Sequence, residues 1–413
     1  MKNKILRGPI RALESKLSSG LAVIIPAYNM RSRYSSDSEF SRILLHYDSL
    51  ARQYQGKVDF HVVDDCSTDG SDNLFRDFEK NSAVKFHYMP RNAKKIGAIK
   101  KVINGLEDNV KFILHTDFDC KFKEGSLDNA IEHTNELALN PQLGGFGLRV
   151  VPERSDNILE IFQELEYGMG RFSYVFLKYE GKVRCVGGAG GLWKREVYEK
   201  ALENHSGMFI SEDMEQTARV MHAGNKVGYA KDVVLTTRTP RTFKDLLKQR
   251  VRWAKGALYS YHNVDEFYKG QALKFLPRKS VHGLMTAVQM TFMATTPGWA
   301  VYTAKKLAEG DVSAGLQVYG LGLAINTGLA VMAHKEFDHK LKCFALLPVS
   351  PIIEYGVYFP AHIAAYYQFV KERAKVYGTK LSNAFAKATS KIKNRFALTK
   401  QPAVSMLPKL EVK

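Results

Sequence analysis

An α/β domain with a mostly parallel sheet, followed by a helical, charge-poor C-terminal region, is the fold this sequence predicts. Three observations predict it. Short apolar runs alternate with amphipathic stretches over the first 116 residues. Acidic residues gather where those runs end. Beyond about residue 270, charge is nearly absent from three long segments.

The apolar run "LAVII" (21–25), ended by Pro26, reads as a buried strand. A helix follows near Ser38–Gln55. "VDFHVVDD" (58–65) is a second strand, stopped by the turn signal "CSTDGS". A helix at about 71–80, a strand "VKFHY" (84–88), a helix at about 94–107 and a strand "VKFILHT" (110–116) complete the alternation. Apolar strands separated by helices form a parallel sheet covered on both faces. Ligands in such sheets bind beyond the carboxyl ends of the strands. Asp64, Asp65, Asp117 and Asp119 all fall at those ends.

The segments 280–304 and 312–333 contain no Asp, Glu, Lys or Arg, and 343–370 contains only Glu354. Each is long enough to cross a hydrocarbon core at about 1.5 Å per residue. The region 266–370 is therefore expected to be transmembrane or interfacial. The tail, 371–413, holds 11 Lys/Arg against two Glu, half of the net charge of +18. Within it, Leu381, Phe385, Ala388, Ile392 and Phe396 share one helical face and Lys380, Lys387 and Lys391 the other. That pattern suits a helix lying on anionic lipid headgroups. No nucleic-acid motif accompanies the basic charge, so nucleic acid is not an expected partner. Residues 1–20 are basic and polar and carry no apolar signal segment, so the domain that follows is expected to be cytosolic. A cytosolic tail as well requires an even number of crossings. Pro348, Pro351 and Pro360 make the third segment the one expected to break. Cys66, Cys120, Cys185 and Cys343 show neither metal-site spacing nor a disulfide framework.

Four constellations carry chemistry. Asp117-Phe118-Asp119 places two carboxylates at i and i+2 after a strand, where they can share a hard cation, Mn²⁺ or Mg²⁺, with a diphosphate. In "VVDDCSTDGS" (62–71) a carboxylate can accept from a nucleotide base or ribose, while Ser67 to Ser71 read as a structural turn with Asp69 or Ser71 as helix cap. In "SEDMEQTARVMHAG" (211–224) the pair Glu212-Asp213 opens a helix, and Asp213 can take a proton from an attacking hydroxyl. In "KQRVRW" (248–253), Gln249, Arg252 and Trp253 share a helical face. Arg suits phosphate oxygens, and Trp gives a flat face for a sugar ring.

Together with "VIIPAYN", "KKIGAIKKVINGL", "FQELEY" and "GGAGGLWKREV", these strings resemble, in order, the family-2 glycosyltransferases of the Rossmann-like GT-A fold that carry a Q-x-x-R-W motif. That branch includes cellulose, chitin and hyaluronan synthases. The resemblance runs from about residue 21 to 258, implies a GT-A catalytic domain over 21–265, and implies roles for the following residues. Pro26, Tyr28 and Asp65 border the nucleotide base. Lys95, Asp117, Gln249 and Arg252 hold the donor, and Asp117 and Asp119 the metal. Asp213 is the catalytic base, and Glu212 and Trp253 meet the acceptor. The implied reaction is an inverting transfer from a UDP-sugar to a polysaccharide, giving a β-linkage. The alternatives are a non-processive transferase acting on a lipid and a non-catalytic nucleotide-binding membrane protein on the same fold. Two features depart from the family pattern: Arg238 in "TRTPRT" stands where Glu is common, and "GGAGGLW" (187–193) is unusually rich in glycine. The latter, with "GGFGLRV" (144–150), is expected to shape the sugar pocket.

Overall fold

The computed structural model describes residues 20–398 apart from 35, 208–209 and 275–278. Residues 1–19 of the basic lead and 399–413 of the tail lie outside the described residues.

The core is an eight-stranded sheet in the order β3-β2-β1-β4-β7-β6-β8-β5. The strands are β1 (Leu21–Ala27), β2 (Val58–Asp64), β3 (Lys85–Tyr88), β4 (Phe112–Thr116), β5 (Lys121–Phe122), β6 (Leu143–Pro152), β7 (Gly190–Lys194) and β8 (Lys226–Thr237). The first four are parallel, as the alternation predicts. Their connecting helices are α1 (Asp37–Gln53), α2 (Ser71–Glu79) and α3 (Lys94–Ile103). β7 then pairs antiparallel with both β4 and β6, while β6 and β8 are parallel, so the sheet as a whole is mixed.

Register decides what meets at the sheet's functional edge. Ala27 pairs with Asp64, so β1 and β2 end side by side, and the Asp65 N–H donates to the Ala27 carbonyl at 2.8 Å. Ile24 pairs with His115, which brings the end of β4 to the same edge. The reversed β7 pairs its first residue, Gly190, with Thr116. The turn before β7 is thereby set against the turn after β4, a neighbourhood that a wholly parallel sheet does not create.

Two of the glycines in the strings expected to shape a sugar pocket, Gly145 and Gly191, make room inside the sheet. β6 and β7 are interior strands, and Trp193 of β7 is fully buried. A Cβ on Gly145 would lie 2.3 Å from the Trp193 ring, and one on Gly191 would lie 2.7 Å from His115. Both glycines make room for a buried stack of His115, Trp193 and Tyr198, whose rings are within 10° of parallel. Only 187–189 remain at the edge. The Ser67–Ser71 turn is structural as expected: Ser67 accepts from the Asn29 N–H, and Asp69 accepts from the N–H groups of Ser32 and Ser71. The helix cap is Gly70, however, and not Asp69 or Ser71.

The remaining helices are α4 (Ser126–Leu139), α5 (Ile158–Leu177), α6 (Arg195–Glu203), α7 (Glu212–His222), α8 (Phe243–Asn263), α9 (Asp265–Ala272), α10 (Val281–Ala308), α11 (Val312–Met332), α12 (Lys340–Leu346) and α13 (Ser350–Leu398). The Asn157 side chain and Glu160 form a capping box that fixes the start of α5. Among the described residues only α11 is by itself long and apolar enough to cross a membrane, by length and composition. The third charge-poor segment breaks where Pro348 and Pro351 stand: α12 and α13 meet at a bend of 73°, and together they pass the same test. α10, the first expected span, does not pass, because Thr, Gln and Gly dilute its apolar residues.

The C-terminal helices lie against the α/β domain. Ala365 of α13 and Met293 of α10 pack on Ala254, Ala257 and Leu258 of α8. Asp338 bonds Lys123 and Arg149, each at 2.7 Å. Leu284, Val288, Phe292, Trp299, Leu316 and Ile325 leave the outer faces of α10 and α11 apolar and exposed.

Candidate active site

The site is built around Lys95, in the first turn of α3. Its ammonium lies 2.6 Å from Oδ1 of Asp117, 2.9 Å from the Gly188 carbonyl and 3.4 Å from Glu212. The peptide of Gly188 has a second partner on its other side: its N–H donates to Oδ2 of Asp213 at 2.9 Å. The N–H of Met214 holds Oδ1 of Asp213 at 2.8 Å. The Asp117 turn, the 187–189 turn and the start of α7 therefore form one connected cluster.

Local sequence explains each arm. Phe118 is 1 % exposed and packs on the rings of Phe40 and Phe75, with centroids 5.4 and 5.6 Å away. That buried ring anchors the turn and leaves the flanking carboxylates partly exposed. The Tyr47 hydroxyl donates to the Cys120 carbonyl at 2.6 Å and to that of Asp117 at 3.2 Å. Ser211 takes a left-handed backbone, φ +54°, before Glu212 and Asp213. α8 passes so close that a Cβ on Gly256 would lie 1.9 Å from the Ser211 hydroxyl, so glycine is required there.

The two carboxylates of the D-F-D turn differ electrostatically. Burial would raise the Asp117 carboxyl, but the Lys95 ammonium more than offsets this and its pKa falls below the ordinary value. Asp119 is pushed up to about 6, first by burial and then by the Asp117 carboxylate, against the pull of Arg33 and Arg238. Arg238 sits over the Tyr34 ring at 4.8 Å and 3.2 Å from Glu39. The Arg that replaces the family's Glu is thus part of the basic rim beside Asp119. Burial raises the Glu212 carboxyl and Asp213 adds to the shift, while Lys95 opposes it.

The other expected residues fall around this cluster. Tyr28 is exposed at the end of β1, with Pro26 partly buried before it. Asp65 is almost fully buried and its Oδ1 accepts from the Ala93 N–H at 2.7 Å, which ties the strand end to the start of α3. Arg252 of α8 is exposed, and its charge helps to lower Asp117. Trp253 is 37 % exposed, with Tyr167 of α5 6.4 Å away between centroids. Gln249 is half-buried and accepts from Arg250. Sequence reasoning missed the Gly188 peptide, Glu166, Arg250 and Tyr358. Glu166 lies inside "FQELEY" and Arg250 inside the Q-x-x-R-W segment, so a signal was present for both. For Tyr358 there was none.

The model for the family described as "Glycosyltransferase like family 2" matches residues 20–256, more than half of the chain. This chain belongs to the family-2 glycosyltransferases. The transferase is 24 % identical over 248 residues to an N-acetylglucosaminyltransferase of Mesorhizobium japonicum, covering 56 % of this chain and 54 % of that one. It is 22 % identical over 317 residues to an N-acetylglucosaminyltransferase of Rhizobium leguminosarum, covering 71 % of each. It is 23 % identical over 247 residues to a poly-β-1,6-N-acetyl-D-glucosamine synthase of Staphylococcus epidermidis, covering 59 % of this chain and 56 % of that one. The glycosyltransferase thus spans about half the length of two of these three relatives. Among solved structures it is similar to a mannosyltransferase of Pyrobaculum calidifontis in complex with GDP-mannose and Mn²⁺. The TM-score is 0.53, with 16 % identity over 85 % of this chain and 86 % of that one, a likeness in fold.

No group of three or more His, Cys, Asp or Glu that could hold a metal occurs among the described residues. A cation at the D-F-D turn would have only Asp117 and Asp119 from the protein, and would take its other oxygens from a ligand. Asp119 fits that part: an adjacent carboxylate and burial destabilise its charge, and a cation would relieve both.

Proposed function

We propose that this glycosyltransferase moves a sugar, with inversion, from a UDP-sugar to a saccharide acceptor, and that residues 21–265 are its catalytic unit. The observation that carries this reading is the Lys95 cluster. It joins the donor-side carboxylate Asp117 to the acceptor-side pair Glu212-Asp213 through one ammonium and one peptide. A nucleotide-diphosphate sugar presents its anomeric carbon between a diphosphate and an acceptor, which is what such a cluster can span. The names of the relatives favour N-acetylglucosamine as the sugar and a polysaccharide as the product.

Asp213 removes the proton from the acceptor hydroxyl. Two backbone N–H groups fix its carboxylate, so its direction is set before substrate arrives. The acceptor oxygen bonds to the anomeric carbon on one face as the bond to the diphosphate oxygen breaks on the other, and UDP leaves with the electron pair. Lys95, Arg252 and Gln249 face the charge that builds on the leaving group. Trp253 and Glu212 line the acceptor side, and Pro26, Tyr28 and Asp65 the base. Asp117 and Asp119 would hold Mn²⁺ or Mg²⁺, which supplies Lewis-acid stabilisation of the leaving diphosphate.

We also propose membrane association through residues 266–370. Support comes from α11, the bent α12–α13 pair and the apolar outer faces of α10 and α11. If the bent pair is one span, the two crossings are even in number, which keeps both ends of the chain on one side.

The test is release of UDP from a panel of UDP-sugars, with and without Mn²⁺ or Mg²⁺, by wild type and Asp213→Asn. The variant is expected to lose about 10²–10⁴-fold in turnover and to bind UDP as wild type does. Turnover at the wild-type rate would remove Asp213 as the base, and no turnover of any donor by wild type would remove the catalytic reading.

A further inference from the structure

The Q-x-x-R-W turn of α8 contains a charged residue that the motif leaves unnamed. Arg250 follows Gln249 and is 1 % exposed. A guanidinium that deep must have its charge paired and its donors used. Its Nη2 donates to Glu166 of α5, and its Nε to the Tyr358 hydroxyl of α13 at 3.2 Å. Tyr358 in turn donates to Glu166. The third arm, Nη1, donates to Oε1 of Gln249. The guanidinium also covers one face of Trp253, 4.0 Å from the ring centre.

The chemistry of the groups fixes the direction of every bond. A guanidinium has only donors, so the Gln249 atom that faces it must be the carbonyl oxygen. The amide nitrogen of Gln249 is then turned the other way. It donates to no group among the described residues, yet it is not among the buried unpartnered atoms, so it is open to solvent. Gln249 is thereby set as a hydrogen-bond donor, the polarity that a diphosphate oxygen needs. The same guanidinium covers a face of Trp253, whose ring remains 37 % exposed.

We propose that Arg250 and Tyr358 are positioning residues that lock Gln249 as a donor toward the leaving diphosphate, and that α13 is therefore part of the active site. The proposal rests on the donor-side role given to Gln249 above. It predicts that changes at Tyr358 act through Gln249, which a purely structural role for the C-terminal helix does not.

A double-mutant cycle on the full chain in detergent tests it. Donor KM, kcat, the UDP dissociation constant and Tm are measured for Tyr358→Phe, Gln249→Ala and the pair. Tyr358→Phe is expected to raise donor KM about tenfold, the worth of a hydrogen bond in a charged network. The pair is expected to be no worse than Gln249→Ala alone. Additive losses would overturn the proposal, as would a lowered Tm with unchanged KM. Gln249→Glu serves as a second probe that keeps a partner for Arg250. It replaces the donor by an anion and should weaken UDP binding at least as much as Gln249→Ala; wild-type binding would refute the assigned orientation. If wild type turns over no sugar donor, the functional reading fails, but the same cycle read by UDP titration still decides the positioning role.

Discussion

The two sides of the cleft are held in opposite ways. The D-F-D turn is held by chain that precedes it within the α/β domain: Phe118 buries itself among Phe40 and Phe75, and Lys95 supplies the counter-charge from α3, the helix before β4. The α8 side is held from both directions along the chain, the C-terminal helix included. Arg250 is satisfied by Glu166, 84 residues before it, and by Tyr358, 108 after it. The electrostatics differ too. At the turn, burial and like charge leave Asp119 destabilised as an anion. At α8 the buried charge is paired on every arm. A site that must capture a cation and release it with product profits from a frustrated carboxylate, whereas a surface that must present fixed donors profits from a satisfied one.

The comparison can be broken from either side. The largest effect is expected at the turn: Asp119→Ala should lower UDP-sugar turnover about 10³-fold and abolish its dependence on added Mn²⁺. Turnover that stayed near wild type and metal-dependent would move the metal elsewhere. Next comes pH. Asp119 titrates near 6 in the free protein, so metal affinity should fall about tenfold per unit as pH drops below 6. A raised carboxyl pKa also means that the folded state binds more protons than the unfolded state between the unfolded value and about 6. The metal-free fold should therefore lose stability as pH rises through that window. Asp119→Asn should flatten both the calorimetric Tm and the metal titration there, and an unchanged slope would refute the assignment. The smallest effect is expected where α13 meets α8 at the surface. Glu372 accepts from Lys255 at 2.6 Å and from Tyr259, yet it is nearly half exposed. Glu372→Gln should cost about 1 kcal/mol or less and leave UDP affinity unchanged. A large loss of affinity would show that α13 acts on the site through more than Tyr358.

Much of the donor side was legible from residue order. "LAVII", "VDFHVVDD" and "VKFILHT" are strands within a residue or two of where they were expected, and their carboxyl ends meet at one edge. Gly145 and Gly191 were not legible in this way, because sequence shows a missing side chain and not what fills the space. Trp193 fills it, as a ring inside the sheet and not as a sugar. Arg250 was passed over because charged residues are seldom buried without a partner, and its partners lie far along the chain.

The sequence by itself determined the alternating α/β plan, the acidic strand ends and the Q-x-x-R-W helix face, because these rest on periodicity and local chemistry. The tertiary structure alone decided that β7 runs backwards beside β4. That reversal carries the Gly188 peptide between Lys95 and Asp213 and makes one site of two halves. It also alone decided that a tyrosine of the C-terminal helix closes the network around Arg250. Strand direction and long-range burial depend on which distant surfaces pack together, and no local pattern of residues records that.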